Sequence, residues 1–71
     1  MTSFSTFLRA RRESLGLRPY ETARLLKVTY HCLYSWEVGR TLPRRRSLPR
    51  LAKVLKVDQA VVQGLIDESR N

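Results

Sequence analysis

The sequence predicts an all-α fold, a compact bundle of five helices, from three observations. Apolar residues recur at helical spacing in five stretches of this 71-residue chain. Residues that start or end helices separate the stretches, and no segment shows the alternating pattern of a strand. The length suits one domain near the lower limit for folding alone. We therefore expect residues 1–71 to form a single domain.

The first two helices are predicted over residues 4–15 and from Pro19 onward. Ser3 is expected to cap the first helix, and Gly16 suits the left-handed position that ends it. Pro19 fits the first position of the second helix, where the N–H has no partner. The expected core faces are Phe4, Phe7, Leu8, Arg11 or Arg12, and Leu15 on the first helix, and Thr22, Ala23 and Leu26 on the second.

A short turn, Lys27-Val28-Thr29, precedes a third helix predicted over residues 30–38. Thr29 is the expected N-cap, and Gly39 ends the helix. Leu33 and Trp36 are three positions apart and are expected to point inward. Two helices joined by a short turn over residues 19–38, in a basic protein, are typical of a DNA-binding helix-turn-helix.

Two more helices are predicted after a loop over residues 40–46. Ser47 and Asp58 are their expected caps, and Pro49 lies in the first turn of the fourth helix. Residues 67–71 are expected to form a polar, frayed tail. The apolar positions are Leu51, Ala52, Val54 and Leu55 on the fourth helix, and Val61, Val62, Leu65 and Ile66 on the fifth, which is predicted over residues 59–66.

The formal net charge of +8 predicts a polyanionic partner. No acidic residue stands between Val38 and Val57, a segment that carries seven basic residues. No apolar run is long enough to span a bilayer, so a membrane partner is not expected.

Catalysis, cofactor binding and metal binding are not expected. The chain has one histidine, six scattered acids and no glycine-rich phosphate loop. Cys32 is the only cysteine, which excludes an intramolecular disulfide and a cysteine zinc site. A small fold without disulfides indicates a reducing cytoplasm.

Four segments, in order, resemble the Cro/C1-type helix-turn-helix family of bacterial and phage repressors, also called the XRE family. They are FLRARRESLGL, ETARLLKV, WEVGRTLP and LPRLAKVLKVD. The resemblance extends from Phe4 to Ile66. It implies the lambda-repressor-like DNA-binding fold and a short Cro-like regulator in the cytoplasm, at the bacterial nucleoid or in the host cell of a phage.

The resemblance also implies roles for individual residues. The third helix would lie in the major groove and contact base edges through Tyr30, His31, Tyr34 and Ser35. Phosphate contacts would come from Arg18, Thr29, Arg40, Thr41, Arg44, Arg45 and Arg46. Arg12 and Glu37 stand where the family often has an interior ion pair.

The sequence departs from the family pattern at the turn and before the second helix. Arg18 and Pro19 replace the usual Ser or Thr and the usual Gln, which puts one phosphate contact in doubt. Lys27 replaces a glycine of positive φ, at a cost of roughly 1 kcal/mol, and the turn is expected to differ slightly in shape.

The expected partner is double-stranded DNA with a palindromic operator, bound by a homodimer formed through Val61, Val62, Leu65 and Ile66. No effector-binding domain and no small-molecule effector are expected, and repression is the expected outcome of binding. One alternative is an antitoxin or adaptor that uses the same fold to hold a protein partner. Another is nonspecific packaging of DNA or RNA through charge.

Overall fold

The computed structural model describes residues 3–70, which form five α-helices and no strand. This confirms the predicted all-α class. A turn of 3-10 helix over Arg45–Ser47 precedes the fourth α-helix. The α-helices are α1 (Phe4–Ser14), α2 (Pro19–Leu26), α3 (Tyr30–Glu37), α4 (Leu48–Leu55) and α5 (Gln59–Ser69).

One core holds the helices together. The third helix packs against α1 and α2, while α4 packs against α2 and α5. Every helix contributes buried apolar side chains, so burial rather than local propensity supplies most of the stability of such short helices. The buried apolar set is Phe4, Leu8, Ala23, Leu26, Leu33, Trp36, Leu48, Leu51, Leu55, Val62 and Ile66.

Local signals at the ends of α1 and α3 act as predicted. Ser3 Oγ accepts a hydrogen bond from the Thr6 amide at 3.3 Å, and Thr29 Oγ1 accepts one from the Cys32 amide at 3.0 Å. Gly16 and Gly39 follow the ends of these helices with φ values of +72° and +81°, a backbone conformation that residues with a side chain rarely adopt. The two N-caps satisfy amides that have no partner within the helix.

The predicted caps at Ser47 and Asp58 are wrong in their chemistry, because neither side chain makes a capping hydrogen bond. Ser47 already has helical backbone angles as the last residue of the 3-10 turn, which also shortens the predicted loop. Asp58 has the extended backbone of an N-cap, but only its backbone carbonyl accepts, from the Val61 amide at 3.0 Å.

The prediction that residues 67–71 form a frayed tail is also wrong for residues 67–70, the part of this stretch that the structure describes. Helix α5 continues to Ser69, whose hydroxyl accepts a hydrogen bond from the Phe4 amide at 3.2 Å and donates to the Leu65 carbonyl at 2.9 Å. Gln63 Nε2 donates to Asp67 Oδ1 at 2.8 Å. The bond between the Phe4 amide and Ser69 ties the end of α5 to the start of α1. Asn71 lies outside the described residues.

The turn between α2 and α3 keeps a left-handed residue although no glycine is there. Lys27 has φ 58° and ψ 42°, and the Val28 amide donates to the Ala23 carbonyl at 3.0 Å. This is the bonding of a Schellman motif, which usually has glycine at this position. The turn therefore keeps the left-handed residue of this motif with lysine in place of glycine, at the cost of backbone strain at that residue.

We expect Lys27→Gly to raise the free energy of unfolding by about 0.5–1 kcal/mol, because glycine adopts positive φ without a steric cost. Chemical denaturation measures the change. Lys53→Gly is the control, since Lys53 lies within α4 and the same substitution there should cost about 1 kcal/mol. Equal destabilisation by both variants would contradict the strain assigned to Lys27.

Candidate nucleic-acid interface

Helix α3 turns three of its side chains outward. Leu33 and Trp36 are buried against the other helices, whereas Tyr30, His31 and Tyr34 are exposed. The division follows the helical period, because residues 30 and 34 are one turn apart and lie on one face. The outward face of α3 therefore carries two phenol groups and an imidazole that the core does not use.

The expectation that Ser35 belongs to this outward face is wrong. Ser35 is only 8% exposed. The Ser35 carbonyl accepts hydrogen bonds from the amides of Arg40 at 2.9 Å and Thr41 at 3.3 Å, which tie the backbone that follows α3 to the end of the helix. Ser35 therefore belongs to the part of α3 that the fold removes from solvent.

A third tyrosine, which the sequence analysis did not select, extends the outward face onto α2. The rings of Tyr20 and Tyr30 stack with centroids 4.4 Å apart and planes 18° apart. Tyr30 and Tyr34 follow at 6.4 Å and 23°. Tyr20 is 73% exposed, so burial does not explain its place there. Tyr20 does not lie on the predicted core face of α2, and this position was the sequence signal that could have marked it as a surface residue with another role.

The structure brings Arg12 and Glu37 together in a largely buried ion pair. Arg12 Nε lies 2.6 Å from Glu37 Oε2, and Arg12 Nη2 donates to Oε1 at 3.2 Å. Arg12 Nη1 also donates to the Leu17 carbonyl at 2.9 Å. The two parallel contacts hold the end of α3 against α1, and this fixes the angle at which α3 is presented.

Cationic side chains follow α3 directly. All of the residues expected to contact phosphate after this helix are exposed, and they are Arg40, Thr41, Arg44, Arg45 and Arg46. Two of the arginines, Arg44 and Arg46, line a cleft together with Cys32 and Trp36 of α3. Arg45 lines a different hollow, with Gln63 and Asp67 of α5. Lys27, Arg50 and Lys53 line the same cleft, so five cations lie beside α3. Arg45 lines no part of this cleft, whereas Arg44 lines both hollows.

A family model described as a helix-turn-helix domain matches residues 3–65 of the chain. The chain belongs to this helix-turn-helix family. The match confirms the resemblance to Cro-like proteins and supports a DNA-binding regulator. No curated protein and no solved structure matches the chain in the other two comparisons.

The start of the helix-turn-helix unit is intact despite its departure from the family pattern. Pro19 opens α2, and the Arg18 amide donates to Glu21 Oε1 at 3.3 Å. This is the half of a capping box in which the N3 carboxylate accepts from the N-cap amide. The other half is missing, because the Arg18 guanidinium has only donors and cannot accept from a first-turn amide as a Ser or Thr hydroxyl does. The Arg18 side chain stays exposed, as does Thr29 at the start of α3. Thr29 directly precedes α3 and caps it, and Arg18 directly precedes α2, which carries Tyr20.

The expected dimer contact on α5 needs correction. Val62 and Ile66 are 0% and 2% exposed, so they belong to the core of the helix-turn-helix domain and not to a surface. They are buried because α5 packs against α4 and α1. Val61 is 46% exposed and Leu65 is partly buried, so only these two of the four residues remain available to a partner.

Residues 3–70 of the helix-turn-helix domain contain neither a cluster of metal-ligating side chains nor a membrane-spanning helix. No group of three or more His, Cys, Asp or Glu side chains there is placed to hold a metal ion. No helix of the described chain has the length and apolar character needed to cross a membrane. Cys32 has a free thiol and is partly buried.

Proposed function

We propose that this protein is a sequence-specific transcriptional repressor that binds double-stranded DNA and contacts the major groove with α3. One observation carries the proposal. The outward face of α3 presents Tyr30, His31 and Tyr34, while the opposite face is locked in the core. A helix held in this way is rigid enough for base contacts to discriminate between sequences.

The chemistry of the exposed side chains suits base edges. A tyrosine ring can pack on the methyl group of thymine, and its hydroxyl can donate or accept a hydrogen bond. His31 can donate to guanine or accept from an amino group, according to its protonation. Tyr20 stacks on Tyr30 and so limits the orientations of that ring. Ser35 is removed from the set of base-contacting residues because it is buried.

Phosphate contacts would position the domain without selecting a sequence. Arg44 and Arg46 are the strongest candidates because they line the cleft beside α3, with Arg40 and Thr41 between them and the helix in sequence. Arg18 and Thr29 would supply contacts at the start of the unit. Arg45 is the weakest candidate because it lies toward α5.

The proposed repressor acts as a homodimer on a palindromic operator. Family geometry places two such helices about 34 Å apart, in successive major grooves. The outward face of α5 is the proposed contact. It carries Val61 and Leu65, and the space beside Gly64 is open within 4 Å of where a Cβ would be. A second α5 could therefore approach this face closely.

Selection of bound DNA from a random pool, at about 150 mM salt, tests the proposal. We expect a palindromic motif with half-sites about 10 base pairs apart. Tyr30→Ala should change the preferred bases within each half-site, because it removes one base contact and the stacking partner of Tyr20 and Tyr34. Each lost contact should reduce discrimination by about 1–3 kcal/mol.

Arg9→Ala is the matched control, since Arg9 faces Glu13 on the exposed side of α1 at 3.6 Å and lies outside the proposed interface. It should leave the motif unchanged. A selection that enriches no motif, with binding that depends on salt alone, would favour nonspecific packaging and contradict the proposed function.

A further inference from the structure

A second surface of the domain combines an open apolar groove with a cationic border. Its floor consists of Leu15 and Leu17 from the α1–α2 connection, Leu25 from α2 and Val54 from α4. Leu25 is 46% exposed, and the other three are partly buried. None of these residues lies on the outward face of α3, so the proposed DNA contacts do not account for the groove.

Four cations and no acid border this groove. Arg50 and Lys53 come from α4, Lys56 directly follows α4, and Lys27 comes from the turn after α2. Three of them, Lys27, Arg50 and Lys53, also line the cleft beside α3 and form the ridge between the two hollows. All four are exposed. An occupant of the groove would therefore place its apolar side toward the leucines and its edges among positive charges.

We propose that this groove binds an acidic amphipathic helix of a partner protein. Apolar side chains at positions i, i+3 or i+4 and i+7 of such a helix would contact Leu25, Val54 and the leucines of the α1–α2 connection. Acidic residues on its flanks would face Lys53 and its neighbours, and charge complementarity would favour this partner over neutral ones. The groove shares Lys27, Arg50 and Lys53 with the cleft beside α3, but none of the residues proposed to contact DNA lines the groove.

Charge argues against the other occupants. A second copy of the chain carries a net charge of +8 and would meet the cationic border with repulsion. DNA phosphates would satisfy the cations, but a phosphate backbone offers nothing to the apolar floor. Only a ligand with both an apolar face and negative charge uses every part of the groove.

A displayed library of 16-residue helical peptides tests the inference, with the full chain as target. We expect enrichment of acidic peptides with apolar residues at i, i+3 or i+4 and i+7. Leu25→Asp should weaken the best peptide about tenfold or more, because it places a like charge within the apolar contact. Lys53→Glu should weaken the same peptide while leaving the apolar floor intact. NMR shift changes should map to residues 15–17, 25 and 54.

Ala10→Asp is the matched control, because Ala10 is exposed on α1 and lines no part of the groove. It should bind the peptide as the unaltered chain does. Leu25→Asp should keep the circular dichroism spectrum and the selected DNA motif, which separates failure of this inference from failure of the proposed function. Enrichment of acidic peptides without apolar spacing, or equal loss with Ala10→Asp, would overturn the inference.

Discussion

Glu37→Ala is expected to lower the free energy of unfolding by about 3–5 kcal/mol, the cost of leaving a buried charge unpaired. The carboxylate accepts two hydrogen bonds from Arg12, at 2.6 and 3.2 Å, and both side chains are largely removed from water. Without it, the Arg12 guanidinium keeps only the Leu17 carbonyl as a partner in the structure. Urea denaturation followed by circular dichroism measures the change.

The exposed pair of Arg9 and Glu13 supplies the control. Its atoms are 3.6 Å apart and its side chains are 66% and 57% exposed, so Glu13→Ala should cost less than about 1 kcal/mol. A double variant, Arg12→Met with Glu37→Leu, should recover most of the stability because no charge remains buried. If Glu37→Ala and Glu13→Ala cost the same, the ion pair does not stabilise the fold as argued.

Arg44→Ala combined with Arg46→Ala should weaken binding to every DNA sequence alike. For a dimer this removes about four phosphate contacts, so the slope of log affinity against log salt should become shallower by about 3–4. At physiological salt the affinity should fall by about 100- to 1000-fold. The preferred motif should stay the same, because phosphate contacts carry no base information. Titrations at several salt concentrations measure the slope.

Arg45→Ala combined with Arg70→Ala removes the same number of charges from the hollow beside α5. Net charge is thus matched, and only the location of the lost charge differs. We expect a clearly smaller change in slope, since Arg45 and Arg70 line no part of the cleft beside α3, whereas Arg44 and Arg46 both line it. If the two double variants change the slope equally, the overall charge of the domain governs binding, and the location of Arg44 and Arg46 does not.

Much of the fold could be predicted because its signals are local. Ser3 and Thr29 satisfy amides within their own first turns, and Gly16 and Gly39 supply left-handed residues where helices end. The inward direction of Leu33 and Trp36 also follows from the helical period alone. Each signal depends on residues within a few positions of one another, so reading along the chain is enough to detect it.

The errors arose where distant parts of the chain meet. The helical period did not reveal that Ser35 would be buried in the folded domain. No local pattern predicted a partner for the polar residues after Ile66. The Ser69 hydroxyl nevertheless accepts a hydrogen bond from the Phe4 amide, 65 positions away in sequence. Tyr20 was passed over because its stacking partner belongs to another helix. None of these contacts has a periodic signature.

The sequence by itself determined the class of the fold, the helix-turn-helix order, the basic charge and most helix ends, because these depend on composition and short-range backbone chemistry. Only the tertiary structure decided which of the apolar residues of α5 remain exposed, which arginines lie beside α3, and that three tyrosines form one stacked surface. Those outcomes depend on how helices cross one another, and packing against a neighbour selects among faces that periodicity alone treats as equivalent.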